Sequence, residues 1–118
     1  MGDEHPLVLS SPPDGVTDDR YDAWYATHVA EMLARVPQFA GAERCHLVPH
    51  GGDPDAPPPF RFLTRYTLAD GVTFEEAWAG LRAAVDGGGM TFEPWFGDVS
   101  AQGFVCTTVG RAARPGDC

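Results

Sequence analysis

The hydrophobic residues of the segment 20–39 follow the spacing of one helix face. They are Tyr21, Trp24, Tyr25, Val29, Met32, Leu33 and Val36. Intervals of three and four residues place them on one side of an α-helix. Thr17 suits the N-cap, and Pro37 predicts that the helix ends at about residue 36. His28 lies inside this apolar stripe, so the helix is a candidate wall of a ligand pocket.

Four other segments have the pattern of β-strands, at residues 6–11, 39–48, 60–68 and 101–110. The segment 60–68 alternates most clearly, with Phe60, Phe62, Thr64, Tyr66 and Leu68 on one face. Arg65 belongs to its other face. The segment 39–48 alternates poorly, so it stays open whether Glu43 and Cys45 or Arg44 and His46 face the core. Proline and glycine predict a loop at 50–59.

A second helix begins after Thr73, which forms a capping box with Glu76. Its apolar stripe consists of Phe74, Ala77, Trp78, Leu81 and Val85, and three glycines at 87–89 end it.

The order strand, helix, strand, strand, helix, strand predicts a ferredoxin-like α+β fold. Such a fold has a four-stranded antiparallel sheet with both helices on one face. We expect a single domain over residues 1–110 and a loose C-terminal tail over 111–118. Since nothing in one chain covers the second sheet face, the architecture also predicts a homodimer, a dimeric α+β barrel.

The charge and the cysteines narrow the choice of partner and compartment. The 118 residues carry a net charge of −9, which argues against nucleic acid and against anionic membranes as partners. The three cysteines follow no disulfide or zinc spacing, so we expect free thiols in the cytoplasm. The acidic N-terminus does not resemble a signal peptide, and no apolar run approaches a membrane span.

The segment YDAWYATHVAEML at 21–33, followed by VPQF at 36–39, resembles the dimeric α+β barrel superfamily. The closest branch is the EthD-like proteins, in which an aromatic–Asn–x–Trp–Tyr–x–x–x–His helix precedes a Pro-Gly-Phe turn. The chain departs from that pattern at Asp22, where Asn is common, and at Gln38, where Gly is common. Arg65 also stands where an apolar residue is more usual. The resemblance covers the order of elements over residues 6–110, and only residues 21–39 are specific.

The superfamily contains lactone isomerases, cofactor-free monooxygenases, polyketide cyclases, haem-binding branches and members without known activity. The resemblance therefore implies a fold and a small-molecule ligand without choosing a reaction.

His28 and Tyr66 are the candidate catalytic residues. Imidazole exchanges protons near neutral pH, and a tyrosine hydroxyl can orient a substrate oxygen or hold the imidazole in one tautomer. Trp24 and Tyr25 are candidate substrate contacts that would form flat walls. The plainer interpretation of all four residues is that they pack in the core.

Phe62, Arg65 and Trp95 complete the predicted substrate contacts. Arg65 could hold a carboxylate or enolate oxygen, or form an ion pair at a subunit interface. Trp95 could close the pocket or pack at one end of the core. No metal site is predicted, because His46 and His50 lie on a strand end and a loop and share no helix face.

These residues favour a cofactor-independent isomerase, cyclase or lyase of the dehydratase type. Its substrate would be mostly apolar and oxygen-bearing, including aromatic or polyketide-like compounds, with His28 as general acid or base. One alternative is a cofactor-free monooxygenase of phenols or anthrones. Another is a non-catalytic dimer that binds a ligand or partner, of which a haem-binding dimer through His28 or His46 is the weaker form.

Overall fold

The structure, a computed structural model, describes residues 4–53, 55–56 and 59–116. Its elements are β1 (Glu4–Ser11), α1 (Asp18–Arg35), β2 (Phe39–His46), β3 (Phe62–Leu68), α2 (Phe74–Asp86) and β4 (Ser100–Thr107), with a 3₁₀ turn at Phe96–Asp98 before β4. Residues 54, 57 and 58 of the predicted loop and 117–118 of the predicted tail lie outside the described residues. The described part of that tail, 111–116, forms no helix or strand. The domain bounds of 1–110 stay a prediction.

The four strands form one antiparallel sheet in the order β2-β3-β1-β4. In this order β1 and β3 lie in the centre, and each β-α-β connection crosses over one strand. This is the ferredoxin-like arrangement, and the fold class predicted from the order of elements is confirmed.

The strand register answers the question that the weak alternation of β2 left open. Arg44 pairs with Thr64, and Glu43 pairs with Arg65. Residues directly opposite each other on neighbouring strands lie on the same sheet face. Because Thr64 belongs to the buried face of β3, Arg44 also lies on the helix side of the sheet, and Glu43 lies on the outer side.

Local signals set the bounds of α1. The side chain of Thr17 accepts a hydrogen bond from the backbone N–H of Arg20 at 3.1 Å, which confirms the predicted N-cap. The helix ends at Arg35, two residues before Pro37. Its buried residues are Tyr21, Trp24, Tyr25, Val29 and Met32, all members of the predicted stripe.

The capping box of α2 is confirmed, but its apolar stripe is only partly covered. Thr73 accepts from the backbone N–H of Glu76, and the Glu76 carboxylate accepts from the backbone N–H of Thr73. Ala77 is the one buried residue of the helix, and Trp78 is 49% exposed. The reason is that a cavity lies along much of the stripe, where sequence periodicity alone would predict packed core.

The outer side of the sheet carries apolar residues as well. Leu7, Leu9 and Leu63 are half-buried there, and Phe104 is 45% exposed. The second copy expected on this face stays a prediction. Within the described part of the chain, neither helix has the length and apolar content that crossing a membrane requires.

Candidate functional site

A cavity of about 660 Å³ lies between the helix side of the sheet and the two helices. The sheet contributes residues of β1 and β4, together with Phe39 of β2 and Tyr66 of β3. The helices contribute most of the aromatic wall, and the segment 96–99 contributes one side. The helix residues that line the cavity are Tyr21, Trp24, Tyr25, His28 and Met32 of α1, with Phe74, Trp78 and Leu81 of α2. The wall is therefore mainly apolar, with few ionisable groups.

The aromatic wall on α1 is organised around His28. The ring of Trp24 stacks on the imidazole, with 5.0 Å between ring centroids and 17° between planes. The two residues are four positions apart, which places their side chains one above the other on the helix. Tyr25 meets the imidazole edge-on at 5.6 Å. These two aromatic rings thus help to hold the imidazole in place.

The surroundings of His28 favour its neutral form. Burial lowers the pKa of the imidazole below its ordinary value, and the carboxylate of Glu31 opposes that shift. Glu31 itself accepts hydrogen bonds from the backbone N–H and the hydroxyl of Thr91, at 3.1 and 3.0 Å. Near neutral pH, His28 can therefore accept a proton.

The two nitrogens of His28 differ in their environment. Nδ1 is buried and has no hydrogen-bond partner among the described residues. Nε2 is not among the buried atoms that lack a partner. No carboxylate or carbonyl in the described chain fixes the tautomer through Nδ1, in contrast to the usual arrangement of a catalytic histidine.

Tyr66 lies in the cavity wall beneath the helices and is 3% exposed. Burial raises the pKa of its phenol, and the neighbouring Tyr25 adds to the increase. A hydroxyl with so high a pKa stays protonated, so it acts as a hydrogen-bond donor and not as an anion.

A buried polar pair lies deeper in the same wall. The Tyr21 hydroxyl donates to the Ser10 hydroxyl oxygen at 2.7 Å, and burial raises the pKa of Tyr21 to about 12. Both side chains are almost fully enclosed by protein. The pair therefore fastens α1 to β1 and supports the aromatic wall of the cavity.

An ion pair braces the wall from the β2 side. Arg44 forms an ion pair with the carboxylate of Asp22 and also donates a hydrogen bond to the backbone carbonyl oxygen of Asp22, at 3.2 Å. Its guanidinium lies 5.5 Å from the centroid of the Tyr25 ring. Asp22 is the residue that replaces the common Asn of the EthD-like pattern, and here it holds the cation that stacks on Tyr25.

The structure brings four of the seven predicted site residues to the cavity, namely Trp24, Tyr25, His28 and Tyr66. Phe62 shares the sheet face of Tyr66 but packs under Tyr21, with 5.2 Å between ring centroids. Trp95 packs behind Trp24 at 5.3 Å and supports it. Arg65 is exposed and lies on the outer face of the sheet, because the alternation of β3 turns it away from Tyr66.

Other lining residues were not among the predicted substrate contacts. Trp78 and Leu81 belong to the stripe of α2, which the sequence places in the core. Phe96 follows an irregular segment that carries no periodic signal. Gly103 lies within a strand, where the absence of a side chain could have indicated an approaching ligand.

The described residues contain no group of three or more His, Cys, Asp or Glu side chains placed to hold a metal ion. His46 lies 3.9 Å from the carboxylate of Asp18, which also binds Arg61 at 2.9 Å. This cluster lies at the start of α1 and contributes no residue to the cavity.

The chain has the ferredoxin-like fold. It is similar in structure to the protein At3g17210 from Arabidopsis thaliana, with a TM-score of 0.64 and 11% sequence identity. That match covers 93% of this chain and 99% of the Arabidopsis chain. The likeness concerns the fold alone, and this fold is the one that the predicted resemblance implied.

Two further solved structures are similar. One is a dimeric ferredoxin-like protein of unknown function from Thermobifida fusca, with a TM-score of 0.49 and 19% identity over 88% of this chain and 90% of that chain. The other is an EthD family protein from Bacillus halodurans, with a TM-score of 0.47 and 14% identity over 88% and 97%. The sequence matches no protein-family model and no curated protein.

Proposed function

We propose that the cavity binds a mostly apolar, oxygen-bearing small molecule and that His28 transfers a proton on it without a cofactor. The observation that carries this proposal is the position of His28. The imidazole lines an apolar cavity, and its surroundings favour the neutral form. It is also the most accessible ionisable group among the residues that line the cavity.

The dimensions of the cavity support a ligand of this kind. Its volume of about 660 Å³ falls within the range of about 300–1,000 Å³ that is usual for small-molecule sites. Flat aromatic side chains such as Trp24 favour a ligand with a planar apolar part. The scarcity of charged groups in the wall disfavours phosphates and other strongly charged ligands.

The proposed step is enolisation. Nε2 of His28 takes a proton from a carbon that a carbonyl group acidifies. The electron pair of that C–H bond moves into the conjugated system, and negative charge develops on the carbonyl oxygen. Return of the proton to a different carbon gives an isomer, whereas loss of a leaving group gives a dehydrated product. Tyr66 could donate a hydrogen bond to the oxygen, and this role stays a prediction because so little of its surface is accessible.

Anthrone is a suitable probe, because its ring system is planar and its carbonyl group acidifies the C10 hydrogens. We would measure exchange of those hydrogens with D₂O under nitrogen by mass spectrometry. The protein is expected to accelerate exchange about 10²-fold or more over buffer, which is the usual effect of a positioned base. His28→Gln should abolish the acceleration, and His50→Gln, which removes an exposed loop imidazole, should retain it.

The same assay distinguishes the rival functions. Binding of anthrone without accelerated exchange would refute the enzymatic proposal and favour a binding protein. Oxygen uptake on admission of air, beyond the rate of the buffer control, would favour a cofactor-free monooxygenase. Equal exchange rates for the wild type and His28→Gln would remove His28 from the mechanism.

A further inference from the structure

Gly103 lies in the middle of β4, on the side of the sheet that faces the cavity. It pairs with Val8, whose neighbours on the same face, Pro6 and Ser10, also line the cavity. A glycine inside a strand weakens the strand, because it loses more backbone entropy than other residues and offers no side chain for packing. Its presence therefore needs a physical reason.

None of the three usual structural reasons applies to Gly103. Its φ angle is not positive, unlike those of Gly15 and Gly71 in turns. The pairing of β1 with β4 runs without interruption from Glu4 to Ser11, so there is no β-bulge. The nearest heavy atom to an added Cβ would be the carbonyl oxygen of Leu7, at 3.9 Å, so no close backbone contact excludes a side chain.

The remaining explanation is the space that the absence of a side chain leaves above Gly103. A side chain at this position would project from the helix side of β4 into the cavity, where Ala101 and Val105 flank it on the same face. The opposite wall includes Trp78, which is half-exposed and stacks with Phe74 at 6.1 Å between ring centroids. The helix side of β4 at Gly103 forms the floor of the cavity. Because Gly103 has no side chain, space remains between this floor and the aromatic wall.

We infer that Gly103 determines substrate size, keeping the floor of the cavity open for the fused-ring part of a planar ligand that lies across β4. The inference rests on the proposed function, because it concerns the same cavity and the same apolar class of ligand. Beyond the proposed function, the inference states that a ligand with several fused rings occupies the space over β4. A single-ring ligand leaves that space empty.

The test is a series of variants, Gly103→Ala, Gly103→Val and Gly103→Phe, with Gln102→Val as the matched control. Gln102 is the preceding residue of the same strand, and its side chain lies on the outer face. Binding of anthrone and of acetophenone, a single-ring ketone, would be measured by equilibrium dialysis under nitrogen. Thermal unfolding would be followed by circular dichroism to verify folding.

Anthrone affinity should fall in the order of side-chain size, by about 2-fold for Ala and by more than 10-fold for Phe. Acetophenone affinity should change by less than about 2-fold, and Gln102→Val should bind both ligands as the wild type does. Gly103→Val should unfold at the same temperature as the wild type or higher, because β-branched residues favour strands.

Two results would overturn the inference alone. One is anthrone affinity that stays constant across the Gly103 series, and the other is loss of both ligands in proportion to loss of stability. Failure of the wild type to bind anthrone would overturn it together with the proposed function. Size-dependent loss of binding in a protein that does not accelerate proton exchange would uphold the role of Gly103 and refute the enzyme proposal alone.

Discussion

The hydrogen bond between Tyr21 and Ser10 allows a quantitative test of the wall behind the cavity. Tyr21→Phe removes only the hydroxyl, since the ring would keep its contacts with Tyr25 and Phe62, at 5.5 and 5.2 Å between centroids. Ser10→Ala removes the acceptor from the other side. Both groups are nearly inaccessible to solvent, so water cannot easily replace the lost partner.

The size of the effect follows from the net value of a buried hydrogen bond. That value is about 1 kcal/mol, and a buried hydroxyl left without its partner costs about 1–3 kcal/mol. We expect Tyr21→Phe to lower the free energy of unfolding by about 1–2 kcal/mol and Ser10→Ala by about 1 kcal/mol. For a chain of 118 residues, an unfolding entropy of about 2.1 cal/mol/K per residue converts each kcal/mol into about 4 °C of Tm.

The double variant isolates the pair. If the two hydroxyls interact only with each other, the double variant should be about 1 kcal/mol more stable than the sum of the two single effects predicts. Chemical unfolding followed by tryptophan fluorescence would give all four free energies. Ser100→Ala, at an exposed serine of β4, is the control for serine replacement in a strand and should change stability by less than about 0.5 kcal/mol.

Additive single effects, within about 0.3 kcal/mol, would show that the two hydroxyls do not stabilise each other. An increase in stability on Tyr21→Phe would likewise refute the reasoning, because it would mean that the hydroxyl is buried at a net cost.

Two further predictions concern pH and capping. Because the pKa of His28 in the folded chain lies below the ordinary 6.5, the unfolded chain binds the proton more readily; the stability of the protein should fall as the pH falls below about 6.5. An NMR titration of the His28 ring would measure its pKa. His28→Gln should reduce the loss of stability between pH 7 and pH 5. An unchanged loss would contradict the assignment of this pH dependence to His28. Thr73→Ala should lower the free energy of unfolding by about 1 kcal/mol, because α2 loses its N-cap. An unchanged Tm by circular dichroism would show that the Thr73 side chain does not stabilise α2.

The sequence by itself determined the features that depend on neighbouring residues. The cap at Thr17, the apolar stripe of α1 and the faces of β3 follow from local geometry, which has a period of 3.6 in a helix and 2 in a strand. The order of elements then restricted the topology, since short connections and right-handed crossovers leave few arrangements. The stacking of Trp24 on His28 also follows from their spacing on one helix.

Tertiary structure decided the features that depend on distant residues. Register alone placed Arg44 on the helix side of β2, because pairing with β3 is a long-range contact that a weakly alternating strand does not specify. The path of the irregular segment before β4 placed Trp95 behind Trp24 instead of at the cavity wall.

The cavity itself is the clearest case. The stripe of α2 has the period of a buried helix face, and an identical pattern would serve a helix packed tightly on the sheet. Whether Trp78 fills a core or lines a space depends on how far the helix lies from the sheet, which no local interaction fixes. For the same reason, the space at Gly103 can be interpreted only when the position of β4 relative to α2 is known.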